Sequence, residues 1–118
     1  MKWSKMTNNG SYISRKIIGG ITYTYAKETS LYQDDILPKH WNSNRLGFIE
    51  RWRCTESWMD HHSVYNAWVC YGEKDWVDLG WYDFDPSVAD EQMNAFSSLK
   101  ELKKFVKDQH QLLNEGGS

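Results

Sequence analysis

Hydrophobic and polar residues alternate in short runs over the first two thirds of the chain and change to a three-to-four spacing after residue 98. Two runs rich in β-branched and aromatic residues, 12–18 and 21–26, flank the dipeptide Gly19-Gly20. This pattern predicts a β-hairpin, because the favoured two-residue turn needs positive φ at both central positions.

Three further strands are predicted over residues 46–55, 64–71 and 76–84. The first has an apolar face, with Phe48 and Trp52, that also carries Glu50. In the last strand, side chains at alternate positions fall into two sets. Trp76, Asp78 and Tyr82 form one set, and Val77, Leu79 and Trp81 form the other. The polar segment 72–75 predicts that the last two strands form a hairpin.

The C-terminal third has helical periodicity. Asp85-Pro86 is typical of a helix N-terminus and is followed by a short apolar stripe that ends at Phe96. Ser98 and Glu101 have the spacing of a capping box. The helix after them places six apolar residues on one face: Leu99, Leu102, Phe105, Val106, Leu112 and Leu113. The predicted fold class is α+β, an antiparallel sheet of about five strands with C-terminal helices packed on one face.

The length of 118 residues predicts one domain, with residues 1–10 as a loose arm and 114–118 as a flexible tail. No apolar stretch approaches the ~18–20 residues of a membrane helix. The polar N-terminus lacks the apolar core of a signal peptide. We therefore expect a cytoplasmic protein with no membrane partner.

Charge is distributed unevenly along the chain. Residues 1–55 carry a formal charge of +5, residues 56–98 carry −8 and the remainder carries +1. Seven acidic residues and one lysine lie between Glu73 and Glu91, and Trp76, Trp81 and Tyr82 lie among them. If Val77, Leu79 and Trp81 face the helix, Trp76, Asp78 and Tyr82 face outward.

This acidic–aromatic segment predicts a non-enzymatic protein-binding module, an adaptor or stoichiometric inhibitor, whose partner has a basic protein surface. The predicted binding residues are Trp76, Asp78, Tyr82, Asp83, Glu73 and Asp75. The surplus of aromatic residues suggests two alternative functions: binding of carbohydrate and binding of single-stranded nucleic acid. A sequence pI near 6.0 disfavours nucleic-acid binding.

A third alternative is a small metal-dependent or His-dependent hydrolase that uses Asp60, His61 and His62. No recognised metal-ligand spacing or nucleophile motif accompanies these residues, so we expect no cofactor, no metal and no enzymatic activity. If strands 46–55 and 64–71 pair through the intervening loop, Cys54 lies opposite Tyr65. Cys54 and Cys70 are then about 17 Å apart, at ~3.4 Å per residue, and both are predicted to be free thiols.

Overall fold

A computed structural model describes residues 1–8, 14–32, 45–55, 62–72, 75–84 and 94–115. These residues form one sheet of seven strands and one helix. The elements are β1 (Lys2–Trp3), β2 (Arg15–Ile18), β3 (Ile21–Tyr32), β4 (Arg45–Cys54), β5 (Ser63–Tyr71), β6 (Asp75–Asp83), β7 (Asn94–Ala95) and α1 (Leu99–Glu115).

The sheet is antiparallel except at one edge. Its strand order is β1-β3-β4-β5-β6-β7, with β2 also paired to β3, and only the β6–β7 pairing is parallel. The sheet is strongly curled, and register shifts interrupt the β3–β4 and β5–β6 pairings. Such bulges add one residue to one strand and increase the local twist.

The predicted hairpin is confirmed. Ile18 pairs with Ile21, and the turn residues Gly19 and Gly20 have φ values of 59° and 80°. The three predicted central strands are also confirmed, as β4, β5 and β6.

The prediction of about five strands missed two short ones, β1 and β7. Residues 1–8 run along β3: Lys2 pairs with Tyr32, and Thr7 forms an isolated bridge with Glu28. The plural "helices" is also imprecise, since α1 is the only helix among the described residues. The first predicted helix begins at Asp85, and its residues up to 93 lie outside the described residues. Asn94 and Ala95, near its predicted end, form strand β7 instead.

Helix α1 begins as the capping pattern predicts. The Glu101 backbone N–H donates to the Ser98 hydroxyl at 3.2 Å. Leu102 and Val106 are fully buried against β4 and β5, whereas Leu112, predicted for the same face, is 64% exposed. At the C-terminal end, the side chain of Asn114 is anchored to β5, because its amide group donates to the Cys70 carbonyl at 3.0 Å.

The sheet has a core on each face. We call the face that packs against α1 the helix face. Its buried cluster consists of Ile49, Ala67, Tyr82, Leu102 and Val106. We call the opposite face the open face. Its buried cluster, formed by the curled strands, consists of Ile18, Tyr23, Tyr25, Trp52, Cys54 and Val64.

The β4–β5 register differs from the predicted one by three residues. Trp52 pairs with Val64, and Cys54 lies opposite His62, whose carbonyl accepts from the Cys54 N–H at 2.9 Å. Cys70 lies eight positions farther along β5, about 27 Å away at ~3.4 Å per residue. Both cysteines are buried free thiols.

Candidate functional site

The open face carries most of the tryptophans of the described residues together with acidic side chains. Cross-strand partners share one face of a sheet, so the register assigns each residue to its face. The open-face residues outside the buried cluster include Lys16, Glu28, Phe48, Glu50, Asn66, Trp68, Trp76, Asp78 and Trp81.

Arg45 lies between two aromatic rings on this face. Its guanidinium carbon is 4.4 Å from the centroid of Phe48 and 5.6 Å from that of Trp76. The two rings meet edge to face, with their centroids 5.1 Å apart. The same guanidinium group contacts the Glu28 carboxylate at 3.5 Å. The pair of rings therefore forms a cation site, and an arginine of the chain itself occupies it.

A second cation site has the same design. The Lys16 ammonium group is 5.2 Å from the ring centroids of both Trp52 and Trp81. These two rings also meet edge to face, at 5.6 Å. Lys16 reaches them because it pairs with Tyr23 and so points to the open face of the hairpin. The open face thus has two separate pairs of aromatic rings, and each pair holds one cationic side chain.

Glu28 and Glu50 are direct cross-strand partners between the two cation sites. Burial raises the pKa of Glu50 above its ordinary value, and the neighbouring Glu28 carboxylate raises it further. The indole groups of Trp52 and Trp68 and the positive charge of Lys16 act in the opposite direction. The face therefore holds a partly desolvated negative charge, which favours nearby cations.

A hydrogen-bonded network stabilises the bulge in β6. The Asn66 side chain is fully buried and donates to Asp78 Oδ1 at 2.9 Å and to the Gly80 carbonyl at 3.0 Å. Its own carbonyl oxygen accepts from Trp68 Nε1 at 2.7 Å. Asp78 Oδ1 also accepts from the Gly80 N–H at 2.8 Å. Gly80 has a φ of 104°, a conformation that side chains disfavour.

This bulge inverts the predicted faces in the second half of β6. Trp68 pairs with Asp78 and Ala67 with Gly80, so that one extra residue, Leu79, separates the two pairs. Trp76 and Asp78 face away from the helix, as predicted. The prediction that Tyr82 faces outward and Trp81 faces the helix is wrong. Tyr82 is 4% exposed and packs against α1, and Trp81 lies on the open face.

The predicted binding residues are therefore only partly brought together at a surface. Trp76 and Asp78 are exposed neighbours on the open face of β6, and Trp76 is 38% exposed, whereas the exposed Asp75 pairs with Tyr71 on the other face. Asp83, in contrast, is 1% exposed. Glu73 lies outside the described residues. Glu28 and Arg45 cannot be identified from single strands because their role depends on strand pairing, although Glu50 within an apolar face is a sequence signal for this site.

Of the predicted hydrolase residues, Asp60 and His61 lie outside the described residues. His62 Nε2 lies 2.8 Å from Oδ2 of the buried Asp83. Among the residues that the structure describes, no group of three or more His, Cys, Asp or Glu side chains is arranged to hold a metal ion.

No protein-family model matches the chain, and comparisons with curated proteins and with solved structures give no significant match. Within the described part of the chain, no helix has the length and apolar character needed to cross a membrane.

Proposed function

We propose that the chain is a non-enzymatic protein-binding module, an adaptor or stoichiometric inhibitor, that binds a basic partner at the exposed margin of the open face. The observation that supports this most directly is the pair of cation sites, at Arg45 and Lys16, made by aromatic rings beside glutamates. A surface that holds two of its own cations in this way has the composition to accept lysine or arginine side chains of a partner.

The contact residues that we propose are Trp76 and Asp78, which replace the larger set predicted from the sequence. Trp76 offers a partly exposed indole ring. Among the described residues, Asn66 and Gly80 both donate to Oδ1 of the Asp78 carboxylate. The acidic residues of the open face include Glu28, Glu50 and Asp78. Charge of one sign accelerates encounter with an opposite partner, and the aromatic ring supplies contact at short range.

The test uses a fluorescently labelled peptide with alternating arginine and glycine residues, and the same peptide with glutamine in place of arginine. We expect the arginine peptide to bind and its affinity to fall as salt increases. Trp76→Ala should weaken binding by about 2- to 5-fold, in line with ~0.5–1 kcal/mol for an exposed cation–π contact. The control is Tyr71→Ala, an exposed aromatic on the other face, which should leave the affinity unchanged.

A matched pair of charge removals separates local from overall electrostatics. Asp78→Asn and Asp108→Asn change the net charge equally at exposed positions, on the open face of β6 and on α1. The amide oxygen of asparagine can still accept the hydrogen bonds that Asp78 Oδ1 accepts at the bulge. The proposal requires that Asp78→Asn slow association much more than Asp108→Asn does. Equal effects of the two substitutions, or equal binding of the glutamine peptide, would show that the open face is not the binding surface.

A further inference from the structure

The helix face carries a cluster of basic side chains beyond the region covered by α1. Arg15 pairs with Thr24, and Thr24 pairs with Arg53, so both arginines lie on this face. Lys27 pairs with Arg51 on the same side. Strand alternation thus places Lys27, Arg51 and Arg53 on one face, and Glu28 and Glu50, together with Arg45, on the other.

A pocket of about 300 Å³ lies within this basic cluster. Among the described residues its lining consists of Ala26, Lys27, Arg51, Arg53 and Ser63, which supply three cationic groups, one hydroxyl and no acidic side chain. Ala26 is the extra residue in the register shift between Tyr25 and Lys27. The lining combines an electrostatic attraction for anions with a defined concave shape.

One arginine of the pocket is held in place. Arg51 Nε donates to the Ser63 hydroxyl oxygen at 3.1 Å. This bond uses one of the five N–H donors of the guanidinium group, and the Ser63 hydroxyl keeps its own hydrogen to donate. A positioned guanidinium group with a neighbouring hydroxyl donor suits an oxyanion with several acceptor oxygens.

We propose that this pocket binds the phosphate group of a small phosphate monoester. Three cationic side chains match the two negative charges of a monoester better than the single charge of a carboxylate or a sulfate ester. The volume lies at the lower end of the range of ~300–1,000 Å³ for small-molecule sites, which suits a compact ligand. The site lies on the face opposite the proposed protein-binding surface and does not depend on it.

The test titrates the whole chain with phenyl phosphate and with phenyl sulfate at equal ionic strength, followed by calorimetry and by ³¹P resonance shifts. We expect one phenyl phosphate per chain and an affinity at least about 5-fold higher than for phenyl sulfate. Because the second proton of a phosphate monoester dissociates near pH ~6, affinity should rise about tenfold between pH ~5 and ~7.

Variants locate the site. Arg51→Gln and Arg53→Gln should each weaken phenyl phosphate binding about tenfold or more, whereas Lys104→Gln, an exposed charge on α1, should change it less than twofold. Arg51→Lys keeps the charge but loses the planar set of N–H donors. Its loss of affinity should therefore lie between that of Arg51→Gln and that of Lys104→Gln. Far-ultraviolet circular dichroism shows whether each variant is folded. If Arg51→Gln does not fold, Arg53→Gln provides the test, because Arg53 is exposed.

Three results would overturn the proposal: equal losses in Arg51→Gln, Arg53→Gln and Lys104→Gln, equal affinity for phenyl phosphate and phenyl sulfate, or binding of a single-stranded oligonucleotide without binding of phenyl phosphate. Arg51→Gln should leave binding of the arginine peptide unaffected, so failure of this site and failure of the proposed protein-binding face are distinguishable.

Discussion

Gly47 on β4 lies against Val106 of α1, and it provides a sharp test of how the helix packs on the sheet. A Cβ atom at Gly47 would lie 3.0 Å from Val106 Cγ1 and 3.0 Å from the carbonyl oxygen of Trp68. The φ of Gly47 is not positive. Space, and not backbone conformation, therefore requires glycine here, and Gly47→Ala should crowd the helix against the sheet.

Two opposing effects determine the magnitude. Replacing glycine by alanine restricts the unfolded chain and stabilises a protein by ~0.4–1 kcal/mol where the native site accepts the methyl group. Overpacking a well-filled core costs ~1–3 kcal/mol. Because both contacts are at 3.0 Å and one is with backbone, we expect overpacking to dominate. Gly47→Ala should lower the free energy of unfolding by about 1–2 kcal/mol.

The double variant identifies the contact responsible. Val106 is fully buried, so Val106→Ala should cost about 2–3 kcal/mol through lost burial and a residual cavity. It also removes the Cγ1 atom that Gly47→Ala would meet. The two substitutions together should therefore cost about 0.5–1.5 kcal/mol less than the sum of the single costs. Urea denaturation followed by tryptophan fluorescence and circular dichroism measures all three values.

Gly20→Ala is the control. It lies at the turn, where its φ is 80° and no atom lies within 4 Å of an added Cβ. It should destabilise the protein through backbone conformation alone. Its cost in free energy of unfolding should therefore be additive with the cost of Val106→Ala. If Gly47→Ala leaves the midpoint unchanged or raises it, α1 is not seated on Gly47. If its cost is strictly additive with that of Val106→Ala, the helix contact is not the cause.

Three further predictions concern the open face, each measured by chemical denaturation. Asn66→Ala should cost about 2–4 kcal/mol, because Trp68 Nε1 and two groups at the bulge lose a buried partner; a cost below ~1 kcal/mol would contradict the network. Gly80→Ala should cost at least ~1 kcal/mol because its φ is 104°, and an unchanged midpoint would contradict the bulge geometry. Burial raises the pKa of Glu50, so its ionised form weakens the folded state at neutral pH, and this penalty disappears as pH falls through the folded pKa. Glu50→Gln should therefore raise the denaturation midpoint above that of the wild type at pH ~7, and this difference should vanish as the pH falls toward 4.5, the ordinary pKa of a glutamate. If the variant and the wild type have equal midpoints at both pH values, the burial argument is refuted.

Local patterns in the sequence were sufficient to predict individual elements. Gly19-Gly20 predicts its turn because few other residues accept positive φ at both positions. The strands β4 to β6 and the start of α1 at Ser98 follow from alternation, helical spacing and capping, all of which act over a few neighbouring residues. The short strands β1 and β7 have no such signal, because two residues carry no periodicity and their pairing depends on distant partners.

The candidate sites depend on how the strands are paired. The register of β4 against β5 differs from the simple prediction by three residues, and a single extra residue at Leu79 moves Tyr82 into the helix-face core and Trp81 to the open face. Side chains alternate with a period of two, so one inserted residue reverses every later assignment. The separation of Glu28 and Glu50 from Lys27 and Arg51 begins in the sequence, as adjacent charges of opposite sign within each strand. Only the pairing of β3 with β4 joins these residues into an acidic–aromatic face and a basic pocket, because contacts between distant residues depend on the register of the whole sheet.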